Sequence, residues 1–306
     1  TSSETDYVKL LIIVFSVSYI TQPLNLLLFH FLAERKSRTL SIIQITSLVL
    51  VNILKVSVIY FYKSLALFIL IQSLEALITG ALSFYFIKKD YHLNSFKFSK
   101  SRAKNFVNFI IPLTLFSVFS EIYYKIDILM LRHMQNVTTV GLYSAAVRLT
   151  EVWYFVSTIV SSTFFPALVS TFNLENKKEY YRRLKTLGYA LFVASLVLIS
   201  GTMIAGEMLI KIIYGDMFIG SLPILYIYIF SLPGSLLLGI IYQDRLLHGK
   251  LWQITLIAFI PAVINFLLNI ILIPSHGAAG AALATVISYN CITAYFLYYI
   301  YNKRSF

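Results

Sequence analysis

Apolar runs of twenty residues or more recur along the whole chain, separated by links that hold most of its charges. A helix that is apolar all round must be buried in a protein core or in lipid, and a bilayer takes about 20 such residues per crossing. Nine runs qualify: residues 8–32, 40–62, 65–87, 106–131, 140–172, 184–213, 221–247, 251–273 and 278–301. Barrel strands are excluded, because they alternate in polarity over segments of only about 10 residues. Helices satisfy their own backbone in lipid, so the sequence predicts an all-α, polytopic membrane protein. Composition agrees. Charged residues are 12% of 306, against about 25% in soluble domains, and mean hydropathy is +0.79. The fifth, sixth and seventh runs exceed a bilayer thickness, which predicts tilt or projection into water. Pro23, Pro112, Pro166, Pro223, Pro233 and Pro261 lie in or at the ends of runs, where they predict kinks.

The formal charge of +12 would point to nucleic acid in a soluble chain. Here the basic residues sit between apolar runs, where they set orientation and meet anionic headgroups, so no nucleic-acid partner is expected. Alternate links hold eighteen Lys and Arg, among them Arg35, Lys88, Lys89, Lys177, Arg182, Arg183 and Arg245, against four at the opposite ends: Lys9, Lys63, Arg132 and Lys211. The rich set is expected in the cytoplasm, with the N-terminus outside and the C-terminus inside. The hydrophilic stretch 88–105 is the longest link. It divides three helices (1–87) from six (106–306), and six make a natural half-transporter, so the triplet is expected to be the remainder of a six-helix lobe.

Group-transfer chemistry finds no constellation. The five histidines are not in metal-ligand spacing, Cys291 is the only cysteine, and no Gly-rich loop ends in Lys-Ser or Lys-Thr; these motifs carry metal and phosphate sites. No cofactor is expected. Charges inside the runs are more informative, since each costs on the order of 3 kcal/mol at the bilayer centre and faces a cavity or a partner. Lys55, Glu75, Glu121, Lys125, Asp127, Arg148 and Glu151 qualify. By helical rise, Lys55, Lys125 and Arg148 lie roughly 9–12 Å inside the outer ends of their runs. Lys55, with no carboxylate within a turn, is the leading candidate for an anionic ligand. Glu75 is the leading candidate for a protonatable coupling group. Structural readings stand beside these: a Glu121–Lys125 pair, an Arg148–Glu151 pair, an Asp127–Arg148 clasp, a snorkelling Lys55. Asn265 and Asn269 share a helix face, as interhelical hydrogen bonds would require.

The run Asp127-Ile-Leu-Met-Leu131, followed by Val140-Gly-Leu-Tyr-Ser-Ala-Ala-Val-Arg148, resembles the seventh and eighth helices of polysaccharide flippases. These are the O-antigen and capsule exporters of the multidrug/oligosaccharidyl-lipid/polysaccharide (MOP) superfamily. Phe164-Phe-Pro-Ala-Leu168, Gly249-Lys250, Leu268 through Pro274, Gly277 and Gly280-Ala-Ala-Leu-Ala-Thr285 extend the similarity. It covers most of 106–301 well and 8–87 more loosely. The resemblance implies twelve helices in two six-helix lobes, of which this chain supplies the fourth to the twelfth. It also implies alternating access about a cationic cavity, with no enzymatic step. Lys55, Lys125 and Arg148 would bind the diphosphate headgroup of an undecaprenyl-linked oligosaccharide. Glu75, Glu121, Asp127 and Glu151 would serve as coupling groups or structural ion pairs, with proton or sodium as the driving ion. The expected location is the bacterial inner membrane, among membrane lipids and with a polysaccharide polymerase as a possible partner. The alternatives are a multidrug or small-cation exporter of the same superfamily and a membrane polymerase or acyltransferase. Three cations at membrane depth speak against the first, and the short outer loops against the second.

Overall fold

Proline and glycine divide these apolar runs into helices. A computed structural model of the chain describes residues 2–34, 36–90, 99–173 and 176–302, and its contacts fall into two compact units, Thr1–Phe98 and Ser99–Phe306. The centre of the predicted basic link, residues 91–98, lies outside the described residues, as does Arg35.

In the first unit, α1 (Ser2–Thr21) passes into a 3-10 turn (Gln22–Leu27) with Pro23 in its first turn, then α2 (Leu28–Ala33). Long helices α3 (Ser37–Phe61) and α4 (Leu65–Asp90) follow. Lys63, at φ 49°, closes α3 by donating its N–H to the Val58 carbonyl. Phe31, Ile43 and Ile87 form the buried core. Along α4 the buried side is small: Ala76, Thr79, Gly80 and Ser83.

The second unit begins with α5 (Lys100–Met134), α6 (Val137–Glu151), α7 (Tyr154–Asn173) and α8 (Lys177–Tyr214). Ser99, Asn136 and Asn176 cap α5, α6 and α8 by accepting the N–H of the third residue onward, which satisfies otherwise orphaned donors. Next come a 3-10 turn (Asp216–Ser221), α9 (Leu222–Tyr228), a second such turn (Ile229–Ser231), α10 (Leu232–Leu247) and α11 (Leu251–Asn302).

The predicted fifth and seventh spans are not straight helices. Proline lacks the N–H that the carbonyl four residues earlier would accept. Pro166 therefore frees residue 162, where Val137–Ser161 and Thr163–Phe172 meet at 41°. Pro233 frees Ile229, the start of the 3-10 turn ahead of α10. At 52 residues, α11 would be about 78 Å long, nearly twice a bilayer with its headgroups. It is two arms, 251–276 and 278–302, folded back at Gly277, whose φ of 55° and ψ of −132° are not helical. Positive φ is open to glycine at no steric penalty. With the bent pair as one crossing and α11 as two, the described residues make nine. Large apolar side chains cover the outside, such as Ile20, Ile204 and Met217, a surface suited to lipid.

Candidate functional site

Polar residues gather in separate places within the two units. In the first, Phe68, Gln72 and Glu75 share one face of α4, because steps of four and three residues stack side chains. Lys55 of α3 reaches that face. Its Nζ donates to Gln72 Oε1 at 2.6 Å and lies 5.6 Å from the centre of the Phe68 ring. Gln72 Nε2 in turn donates to Glu75 Oε2 at 3.1 Å. The amide thus presents its acceptor to the cation and its donor to the carboxylate, linking two predicted site residues that form no direct ion pair among the described residues. An ammonium has three N–H groups; two of those on Lys55 have no hydrogen-bond acceptor among the described residues. Beside Glu75 lies a groove of about 540 Å3 with a polar strip formed by Asn25, Gln44, Ser47 and Thr79. Thr79 Oγ1 donates to Ser47 Oγ at 2.9 Å.

In the second unit, Asp127 on α5 is 4% exposed. Its Oδ2 accepts from Tyr143 Oη at 2.5 Å and Thr285 Oγ1 at 2.6 Å, and its Oδ1 from Asn269 Nδ2 at 2.5 Å. Asn269 also donates to Asn265 Oδ1 at 2.9 Å, and Asn265 donates to Thr285 Oγ1 at 3.2 Å. The hairpin in α11 makes this possible, since Asn269 lies eight residues before Gly277 and Thr285 eight after. Close approach of the arms needs Gly280, where a Cβ would stand 2.2 Å from the Leu272 carbonyl oxygen.

The expected Asp127–Arg148 clasp is therefore not formed. Tyr143, Ala146, Val147 and Thr150 make the buried stripe of α6, while Arg148 lies off that stripe and is exposed. The Glu121–Lys125 pair is also not formed among the described residues; both side chains are exposed. Glu151 is partly buried, with exposed Lys125 and Arg148 close enough for their charge to reach it and Glu121 near the same Tyr124, but the expected Arg148–Glu151 pair is not formed among the described residues. These four predicted residues thus share one neighbourhood on α5 and α6, apart from the Asp127 cluster.

Sequence reasoning missed three features. Gln72 carries the Lys55–Glu75 link, and its three-residue step to Glu75 was the available signal. Tyr143 and Thr285 complete the Asp127 cluster from distant positions. Arg245, grouped in the sequence with loop cations, is 2% exposed. Its Nε lies 3.3 Å from Asp244 Oδ2, and its Nη1 donates to Gln253 Oε1 at 3.0 Å. The guanidinium carbon sits 4.0 Å from the centre of the Tyr299 ring, and Tyr180 Oη donates to Asp244 Oδ1 at 2.8 Å. These contacts tie α8, α10 and α11 together.

The sequence profile of the polysaccharide biosynthesis protein family matches residues 1–172. A search of curated proteins found no match. Among solved structures, the lipid II flippase MurJ in an inward closed conformation superposes with a TM-score of 0.56 at 21% identity, over 81% of this chain and 53% of MurJ. An outward-facing multidrug resistance MATE family transporter of the MOP superfamily gives 0.58 at 15% identity, over 85% of this chain and 63% of its own. A MOP superfamily transporter from Pyrococcus furiosus Vc1 gives 0.56 at 14% identity, over 65% and 44%. The chain thus spans 44–63% of the length of the transporters whose fold it shares. With more than half of its residues matched by one profile and its helices arranged as in these transporters, the chain belongs to the polysaccharide biosynthesis protein family.

Proposed function

We propose that the chain forms part of a flippase that carries undecaprenyl-diphosphate-linked oligosaccharide repeat units, of O-antigen or capsule, from the cytoplasmic to the outer leaflet of the bacterial inner membrane. The observation that carries this reading is Lys55, an ammonium within an apolar helix with two N–H groups to spare, linked through Gln72 to Glu75, which lines a groove with a polar strip. Family membership supports it, as does the similarity to a flippase fold. In this reading residues 1–87 and 106–306 act as lobes in alternating access, and the C-terminus is cytoplasmic. Lys55, Lys125 and Arg148 bind the anionic headgroup while the polyprenyl tail stays in lipid. A polysaccharide polymerase would take the product.

Coupling is assigned to Asp127, with Glu75 as the second carboxylate of the cycle. Asp127, Asn265, Asn269 and Thr285 offer side-chain oxygens on α5 and on both arms of α11, and the buried Asn269 Oδ1 has no hydrogen-bond partner among the described residues. Such a cluster can hold a proton or a sodium ion, and its donors would rearrange when charge is neutralised. The test is surface polysaccharide in a flippase-null strain complemented with the complete gene. Lys55→Ala and Arg148→Ala should abolish most export at normal protein level, and full export in both would overturn the headgroup assignment. The similarity to a MATE transporter supports a second reading, drug or cation export. Restored drug tolerance without restored polysaccharide would select it.

A further inference from the structure

A groove of about 520 Å3 runs between the bent end of α7 and the start of α8, apart from the Lys55 and Asp127 clusters. Its wall is apolar at Phe164, Ala167, Leu168 and Leu187, and Arg182, Arg183, Glu179 and Thr186 form its polar side. The first turns of α8 carry Lys177, Lys178, Arg182, Arg183 and Lys185 against one carboxylate, Glu179. Glu179 is shared. It accepts from Arg182 Nε and Nη2 at 2.7 and 2.9 Å, and from Arg183 Nε at 2.7 Å. Arg183 Nη1 donates to the Ala167 carbonyl at 3.2 Å. One terminal nitrogen remains on each guanidinium, Nη1 of Arg182 and Nη2 of Arg183, with no partner among the described residues.

We infer that this groove is a binding site for an anionic phospholipid of the leaflet at the basic end of the bundle. Each guanidinium keeps one terminal nitrogen to donate to a phosphate oxygen, and such bonds between ionised partners are the stronger kind. The apolar wall suits an acyl chain. Phe164 is exposed, and an acyl chain would cover its ring where a soluble anion would leave it bare. Basic pockets between helices at the membrane surface bind acidic headgroups on this principle. Pro166 bends α7 at this level, so the helix diverges from its straight course and a lipid chain fills the space alongside. The lipid thereby braces α7 against α8.

The experiment is native mass spectrometry of the purified protein after equilibration in mixed micelles with equal phosphatidylglycerol and phosphatidylcholine. The expected result is enrichment of bound phosphatidylglycerol by about tenfold, the scale of one to two cations near a membrane surface. Arg182→Gln, together with Arg182→Gln/Arg183→Gln, should abolish the preference. Ala167→Phe, which leaves every charge in place and fills the groove, should lower retention of both lipids. Thermal melts establish that each variant is folded, and Arg182→Gln alone serves if the double variant is not, because Arg182 is mostly exposed. Equal retention of the two lipids by the wild type would overturn the proposal, as would unchanged preference in folded Arg182→Gln. Displacement of phosphatidylglycerol by inorganic phosphate would also overturn it, by marking a free-phosphate site.

Discussion

Gly280→Ala is expected to damage the Asp127 cluster without touching any of its side chains. The added Cβ would stand 2.2 Å from the carbonyl oxygen, 2.6 Å from the carbonyl carbon of Leu272 and 3.1 Å from the nitrogen of Ile273, all backbone atoms of the opposing arm. No side chain can rotate away, so the arms must separate. Restoring an ordinary separation of about 3.4 Å to the oxygen requires a retreat of about 1.2 Å. Carried along a rigid helix for five residues, that movement stretches the Thr285–Asp127 bond from 2.6 Å by up to the same amount, to at most about 3.8 Å, beyond hydrogen-bond range. Overpacking costs about 1–3 kcal/mol, and a lost polar bond inside a membrane protein about 0.6–2 kcal/mol. The expected loss is therefore about 2–5 kcal/mol. Unfolding followed by denaturant or heat in a mild detergent measures it. Gly201→Ala is the control, because a Cβ there meets nothing within 4 Å. Ala is the better helix former by about 0.5–1 kcal/mol, so this variant should match or exceed wild-type stability. If Gly280→Ala unfolds together with wild type and Gly201→Ala, close backbone approach is not what sets the register of the hairpin.

Asp127→Asn keeps the shape and lets the hydroxyls of Tyr143 and Thr285 turn to accept, so it should fold normally yet lose export. Asp127→Ala strands the Tyr143 hydroxyl and one Asn269 N–H, while Thr285 Oγ1 can still donate to the Ala281 carbonyl; at about 1–3 kcal/mol for each stranded donor it should also melt early, and equal melting of the two variants would refute this. Gln72→Leu should lower export like Lys55→Ala if the amide holds the ammonium in place, and wild-type export would remove that role. Arg245→Leu leaves Asp244 buried and uncompensated, a loss of about 3–5 kcal/mol. Combining it with Asp244→Leu should recover part of that loss, and strict additivity in a double-mutant cycle would show that the two charges do not interact.

Much of the architecture was legible because lipid imposes a simple rule on composition. The apolar runs could be read directly from the order of residues, whereas of six prolines expected to kink a span, Pro112 and Pro261 lie inside helices and the breaks described above fall before Pro166 and Pro233. The polar clusters could not. Asp127 meets Asn269 and Thr285 across separations of 142 and 158 residues, and which buried groups meet depends on the register of a hairpin and the rotation of each helix. Arg148 shows the difficulty: a step of five residues from Tyr143 turns it off the packed stripe of α6, which spacing along one helix does not reveal. Gln72 was overlooked for another reason. Being uncharged, it carried no penalty conspicuous enough to mark it, although it is the piece that joins Lys55 to Glu75.

The symmetrical placing of Asn269 and Thr285 about Gly277 limits how this part of the chain can change in length. One residue inserted between Asn269 and Gly277 would swing the amide by about 100° around its helix axis, away from the carboxylate, while leaving hydropathy and topology untouched. Insertions should therefore be tolerated in the polar links between helices and excluded from this hairpin, unless both arms lengthen by whole turns.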